Sequence, residues 1–474
     1  MVSVEELIIP LSASIAFAIL AWFFLKLILK NSKKSGIIVS LFLILFFAYG
    51  HIFIYANGIE IFGFDTSTHI HFIIPFIIIF GVGFFIILRS KRKLDNATKI
   101  GNAISITLMI IIAVNIGIFG IENLGTPEDS ELGVSLSLEN KIEEYPDIYY
   151  IILDGYANSH TLKNKYDFDN IDFINYLENH NFKIPSKTHG NYPLTFMSLS
   201  SSLNMKYLDH QSIQFDSKEK AQTTGQKSIN NNEVMRHLKE KGYKIISFDT
   251  GSWLTNSIRI ADWHACGTNY LNSEFLGMMV RTTMLYPLHV RLLEPDLRDG
   301  ILCIFEELPN LRERTDQPIF VFAHIFIPHP PFIFGANGES VAESLSLTEG
   351  WDSDAYTNQL QFANKKIKNV LDEMLSDEYS PVIIIQSDHG PRGDLDWENP
   401  DNVMIKQVYG IFNAYHLPNG GNNEIYETIT PINSFRVVFN YYFDENYELL
   451  DDKAYFSNIH DLKRFDDVTS ILQE

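Results

Sequence analysis

Four long apolar stretches lie within the first 124 residues, at about Leu7 to Leu29, Gly36 to Tyr55, Phe72 to Leu88 and Ala103 to Ile121. Each is long enough to cross a bilayer as a helix, and a chain that carries four of them has to give them to lipid. The first is read as retained rather than cleaved, because its lysines follow the apolar run instead of preceding it. Lys26, Lys30, Lys33 and Lys34 cluster between the first two stretches, and Arg89, Lys91, Arg92, Lys93 and Lys99 between the last two, whereas Ala56 to His71 has no Lys or Arg. Basic loops stay in the cytoplasm, so the amino terminus, the second loop and everything after the fourth stretch are expected outside it. Lys26 is read as a residue that reaches back to the interface, and His51, His69 and His71 as interfacial histidines.

The net charge of −21 over 474 residues then falls mostly on the remaining part, which reads as an acidic globular domain. An acidic surface excludes nucleic acid as a partner, since no basic stripe is present to displace phosphate counterions. The stretch Glu122 to Tyr145 is polar, with Gly125 and Pro127, and reads as a linker. The expected organisation is a transmembrane helical domain over 1–124, a linker over 125–145 and an extracytoplasmic domain over 146–474. Cys266 and Cys303 allow at most one disulfide, and the sequence leaves open whether they pair. Oligomeric state is equally open.

Within the outer domain, Val382 to Ile385 is a run of four β-branched residues that stops at Ser387-Asp388-His389-Gly390. Such a run reads as a buried parallel strand, and a parallel strand presents its functional residues just past its carboxyl end. Ile148 to Leu153 is a second such strand and also ends in an acid and a glycine, Asp154-Gly155. Lys244 to Phe248, ending at Asp249, and Ile319 to Ala323, ending at His324, complete a set of strands, with helical patterns around Ile171 to Asn181, Asn232 to Lys241 and Asn358 to Leu375. The fold class expected is α/β: a mainly parallel sheet flanked by helices, preceded by an α-helical transmembrane domain of four spans. Two aspartates delivered from neighbouring strand ends, with a histidine beside one of them, suit a divalent cation.

Thr195 follows Pro193 and precedes Phe196, Leu199 and Leu203 at helical spacing, which puts its hydroxyl at a predicted N-cap. Plain capping explains a threonine there, and so does a site for a tetrahedral oxyanion at a helix start. His324 and His329 lie five apart on a proline-locked segment, able to address one small anion or cation. Arg392 directly follows the Asp-His pair and suits either a second anionic group or a surface ion pair. Phe275 to Leu293 reads as a core helix, with docking on the outer leaflet as the other reading, and Thr430 to Arg436 as packing.

Asp154-Gly, Thr195 with Ser198 and Leu199, His324-x4-His329-x-Pro and Ser387-Asp388-His389-Gly390, in that order, resemble the alkaline-phosphatase superfamily, in particular its membrane-anchored sulfatase-like branch of lipoteichoic acid synthases and phosphoethanolamine transferases. The resemblance runs from about Asp147 to Phe443. It implies metal ligands Asp154, Thr195, Asp388 and His389, with Thr195 also the nucleophile. It implies that His324 and His329 contact the transferred phosphate or a second metal, and that the metal is Zn, Mn or Mg. Met197 and Leu199 stand where sulfatases carry Pro and Arg, so no formylglycine can form at this site.

What the resemblance implies in function is a metal-dependent extracytoplasmic transferase. It would move a phosphoryl-alcohol from a membrane lipid donor to an envelope glycan or lipid acceptor. A hydrolase of phosphate or sulfate esters, with water as acceptor, is the alternative within the same chemistry, and a non-catalytic membrane receptor the alternative outside it.

Overall fold

The computed structural model describes the chain except for residues 1–3, 57–59, 62–63, 66–68, 92–93, 124–144, 209–217, 249–253, 256–257, 267–278, 281, 286–296, 342–350, 377–378 and 474. Apart from Tyr145, the expected linker lies outside the described residues, as does Asp249. The chain divides into two compact units, Met1–Asn140 with Thr268–Glu294, and Lys141–Gly267 with Pro295–Glu474.

The first unit holds helices α1 (Val4–Leu29), α2 (Ser32–Ala56), α3 (His69–Arg89) and α4 (Asp95–Asn123), with a short hairpin of β1 (Glu60–Ile61) and β2 (Phe64–Asp65). Among the described residues three spans are long and apolar enough to cross a membrane, Pro10–Leu29, Ser32–Phe53 and Phe72–Arg89, where four were expected. The fourth stretch does form helix α4, but its side chains at 113 and from 116 onward lie outside the described residues, and what is left is too short to span. The basic residues gather at one end of these helices. Lys33 pairs with Asp95, Lys34 donates to the Leu88 carbonyl at 2.7 Å, and the Lys26 ammonium lies over the Trp22 ring. At the other end of α2, the Tyr49 hydroxyl meets Nδ1 of His69 at 3.0 Å.

The second unit is built on a six-stranded sheet. Its strands are β3 (Ile148–Leu153), β4 (Lys244–Phe248), β5 (Trp263–Ala265), β6 (Ile319–Ile325), β7 (Val382–Gln386) and β8 (Asn413–His416), in the spatial order β5-β4-β6-β3-β7-β8. All neighbours run parallel except β7 and β8, so the sheet is mixed at one edge. The alternation of side chains across a strand sorts the core into two layers. Tyr149, Ile151 and Leu153 join Val321, Ala323, Ile383 and Ile385 on one face, and Ile148, Tyr150 and Ile152 join Phe320, Phe322, Val382 and Ile384 on the other.

Helices cover both faces, and in chain order they are α5 (Ser159–Tyr166), α6 (Ile171–Asn179), α7 (Thr195–Leu203), α8 (Lys218–Asn230), α9 (Glu233–Glu240), α10 (Leu297–Glu307), α11 (Ser353–Met374), α12 (Asn402–Tyr409) and α13 (Pro431–Phe443). The first core layer packs under α11 through Tyr356, Leu360 and Ile367, and the second under α7 and α13 through Phe196, Leu199, Leu203 and Phe435. Cys266 and Cys303 are joined as a disulfide, with Cα atoms 5.9 Å apart. Most of the segment Phe275 to Leu293, read as a core helix, lies outside the described residues; Met279 and Val280 are helical and residues 282–285 form a turn.

Candidate functional site

The site forms where three adjacent strands end. Central strand β3 is in register with both neighbours, Ile152 lying opposite His324 on β6 and Gln386 on β7. Asp154 therefore emerges between His324 on one side and the Ser387-Asp388-His389 turn on the other, as expected from two parallel strand ends. Gly155 follows at φ +74°, a conformation that favours glycine, and its N–H donates to Asp388 Oδ1 at 3.2 Å. Gly390 is required for space: a Cβ there would meet the Gln407 carbonyl oxygen at 2.1 Å.

Thr195 is the first residue of α7 and not its cap. The cap is Leu194, which makes no side-chain capping bond. Its hydroxyl instead lies 3.2 Å from Nε2 of His389. One turn on, the Ser198 hydroxyl donates to the Asp388 carbonyl at 2.7 Å and ties the start of the helix to the end of β7. Asp154, His324, Asp388 and His389 form a buried floor, each 2 % exposed or less, while Thr195, His329 and Arg392 are partly exposed around it.

The floor has a hydrogen-bonding problem that a cation solves. Nδ1 of His389 lies 2.8 Å from the Gly390 carbonyl, which only accepts, so Nδ1 carries the proton. Burial, reinforced by Arg392, pushes the imidazolium pKa down to about 3, so the ring is neutral and Nε2 is an acceptor, with the Thr195 hydroxyl as its donor. The same nitrogen faces Asp154 Oδ1 at 3.4 Å and Asp388 Oδ2 at 3.3 Å. Three acceptors converge, with the single Thr195 hydroxyl as a donor beside them. Asp154 Oδ1 and Asp388 Oδ2 are moreover buried without a hydrogen-bond partner, and His324 Nε2 has only the Asp154 carboxylate before it, at 3.3 Å. Buried orphans of this kind cost about 1–3 kcal/mol each, more when charged, and a divalent cation among them would satisfy all of them.

Ligand atoms of Asp154, His329 and His389, and of Asp154, His324 and Asp388, form two groups within 4.8 Å that share Asp154. The residues expected as ligands are thus brought together, with Thr195 at their edge, and both histidines of the spaced pair join them.

The two carboxylates are driven apart electrostatically. Burial pushes Asp388 up to about 6, helped by the Asp154 anion and opposed by His324, the Thr195 hydroxyl and Arg392. Burial acts on Asp154 in the same sense, yet the hydrogen bond and charge of His324 help to hold it well below the usual carboxylate range. For His324 burial works against the charged form, but the hydrogen bond and charge of Asp154 outweigh it and raise the pKa. Its Nδ1 is engaged by the Thr255 hydroxyl at 3.0 Å.

His329 and Arg392 form the rim. Nδ1 of His329 donates to the Pro330 carbonyl at 2.6 Å, and Nε2 accepts from Arg392 Nη2 at 3.2 Å, which defines a neutral ring with its lone pair toward the guanidinium. Arg392 Nη1 also donates to the Pro193 carbonyl, two residues before Thr195. Arg392 is thus no surface ion pair but a cation held at the mouth, between the histidine and the start of α7.

Two residues that sequence reasoning missed hold this rim. Gln359 on α11 is fully buried. Its Nε2 donates to the His329 and Pro331 carbonyls at 2.9 and 3.4 Å, and its Oε1 accepts from the Ile333 and Phe334 amides at 2.8 and 3.2 Å. Trp351 stands edge-on to the His329 ring, with centroids 5.4 Å apart. Neither has a sequence signal of its own, because their partners are a backbone loop and a ring far along the chain.

No protein-family model matches the chain, and no curated protein matches it in sequence. Solved structures that are similar include the C-terminal periplasmic domain of EptC from Escherichia coli in complex with Zn. It is 12% identical, with 68% of this chain and 92% of that one covered and a TM-score of 0.46. The C-terminal periplasmic domain of the phosphoethanolamine transferase EptC from Campylobacter jejuni is 15% identical, over 64% of this chain and 91% of that one, with a TM-score of 0.41. The integral membrane lipooligosaccharide phosphoethanolamine transferase A from Neisseria meningitidis is 11% identical, over 77% and 69%, with a TM-score of 0.43. Two of these three similar structures are described as phosphoethanolamine transferases.

Proposed function

We propose that the chain is a metal-dependent transferase that moves a phosphoryl-alcohol from a membrane phospholipid to a glycan or lipid acceptor outside the cytoplasm, with Thr195 as nucleophile. The observation that carries this reading is the pairing of a partly exposed hydroxyl, Thr195, with a buried cluster of two carboxylates and the imidazoles of His324, His329 and His389, whose ligand atoms lie within 4.8 Å of one another in two groups that share Asp154. Asp154, Asp388 and His389 would hold the divalent cation, with His324 or His329 completing its shell. When bound it lowers the pKa of a coordinated hydroxyl and draws charge from a phosphoryl oxygen. Carboxylates and imidazoles suit Zn, Mn and Mg in overlapping degrees.

The chain's own residues supply the rest. Oγ1 of Thr195 bonds to phosphorus as the bond to the lipid alkoxide breaks, and the proton lost by the hydroxyl is made up on the departing alcohol. An acceptor hydroxyl then reverses the step, restoring Thr195. Arg392 and His329 flank the mouth, where a guanidinium offers donors to the equatorial phosphoryl oxygens. Three apolar helices ahead of the catalytic unit support a lipid donor, since an anchored enzyme meets membrane substrates at high local concentration. Full-length protein loaded with divalent cation and incubated with phospholipid carrying a labelled headgroup should form a covalent adduct on the Thr195 peptide. Modified acceptor distinguishes transfer from hydrolysis, which releases free headgroup, and turnover with no adduct would overturn the threonine mechanism.

A further inference from the structure

The first unit is interrupted in sequence: Thr268–Glu294 belongs to it, although the chain on either side belongs to the second unit. The Cys266–Cys303 disulfide closes the base of this excursion. Its described part pairs with the backbone of α2. The Gly50 N–H donates to the Thr282 carbonyl at 2.9 Å and the Met284 N–H to the Phe46 carbonyl at 3.1 Å. Phe46 and Gly50 are an i, i+4 pair, the two groups that a regular helix joins to each other.

Every amide from 282 to 285 has a partner within the protein. Thr282 N–H donates to Met279 O, Thr283 N–H to Val280 O, Met284 N–H to Phe46 O and Leu285 N–H to the Thr283 hydroxyl oxygen. Both threonine hydroxyls donate as well, to the Met279 carbonyl at 2.7 Å and the Val280 carbonyl at 2.8 Å. In water a turn needs no such completeness. In hydrocarbon it does, because lipid offers no hydrogen bonds and irregular backbone survives only where protein supplies them. Depth agrees. The apolar span of α2 runs Ser32–Phe53, so the Phe46 carbonyl lies about 10 Å inside its far end at 1.5 Å per residue. That end is opposite to the one that carries Lys33 and Lys34.

We infer that the turn at Thr282–Leu285 lies within the outer half of the bilayer and contacts lipid chains. Residues 282 to 285 themselves carry no charge. Leu285, 46% exposed, is the side chain that would meet lipid.

The test uses full-length protein in vesicles of phosphatidylethanolamine and phosphatidylglycerol, with p-benzoylphenylalanine placed by Leu285→p-benzoylphenylalanine and, as a control, by Val403→p-benzoylphenylalanine at a 61% exposed position of the second unit. After irradiation, acyl-chain adducts at 285 should exceed those at 403 by about ten-fold or more, as expected when only one site meets hydrocarbon. Equal yields, or none at 285, overturn the inference. Hydrogen exchange on the unmodified protein gives a second reading: amides 282–285 should be protected in vesicles, and rapid exchange contradicts burial in the bilayer. Neither readout depends on the Thr195 chemistry, and Thr195→Ala should leave both unchanged.

Discussion

The hydroxyl of Thr195 stands 3.2 Å from Nε2 of His389, a nitrogen left without a proton because Nδ1 is committed to the Gly390 carbonyl. Thr195→Ala should therefore abolish the covalent adduct and lower kcat by at least about a thousandfold, as loss of a nucleophile does. The fold should hardly notice, since this threonine is partly exposed and is not the cap of its helix. Thermal unfolding of the variant should match the parent within about 1 kcal/mol. Thr195→Ser, which keeps the hydroxyl, should retain measurable turnover.

A second prediction follows from the two facing carboxylates. Divalent cation should stabilise the parent, by about 2.7 kcal/mol at a hundredfold excess over Kd. Asp388→Asn should lose that gain, yet in chelator it should unfold at a higher temperature than the parent. One of the two buried anions is then gone, and the new amide can donate to the His389 lone pair now 3.3 Å from Asp388 Oδ2. Calorimetry with and without chelator reads both effects, and a variant less stable than the parent in chelator would count against the lone-pair argument.

Much of this site was visible before any coordinates. The β-branched runs of β3 and β7 stop at their aspartates, and a run of that kind has few alternatives to a buried parallel strand. Thr195 was misplaced by one residue, because cap and first turn differ only in backbone angles that composition does not report. Strand β8, Asn413–His416, escaped notice: it is short and polar at both ends, and it is held by pairing with β7 rather than by its own pattern. The Cys266–Cys303 pair and the grip of Gln359 are tertiary facts, each joining segments whose approach depends on the whole sheet.

Gln359 gives a third prediction. Replacing it by Met keeps the volume but strands two carbonyls and two amides in the loop after His329. A stability loss of about 3 kcal/mol is expected from unsatisfied buried groups. Because His329 loses its anchor, kcat should fall more than KM changes, and cation affinity should weaken. Unaltered kinetics in a destabilised variant would show the residue to be structural only.

A fourth concerns acid. The Glu427 carboxylate is held down to about 2 from an ordinary 4.5, first by its hydrogen bond with Lys183 and then by the amide and hydroxyl of Ser186. A depressed acid contributes stability that is present above its unfolded value and lost as pH falls toward the folded one. The difference in unfolding temperature between the parent and Glu427→Gln should thus be largest above about pH 5 and shrink as pH falls toward about 3. Since both partners are substantially exposed, the effect should be small and weaken in salt.

The most direct test of the central claim is anomalous diffraction from the catalytic unit of cation-loaded protein, recorded at the metal edge. A peak bounded by Asp154 Oδ1, Asp388 Oδ2 and His389 Nε2, with the Thr195 hydroxyl beside it, is the result predicted. Loaded crystals with no peak among those atoms, or with one elsewhere on the unit, would contradict it.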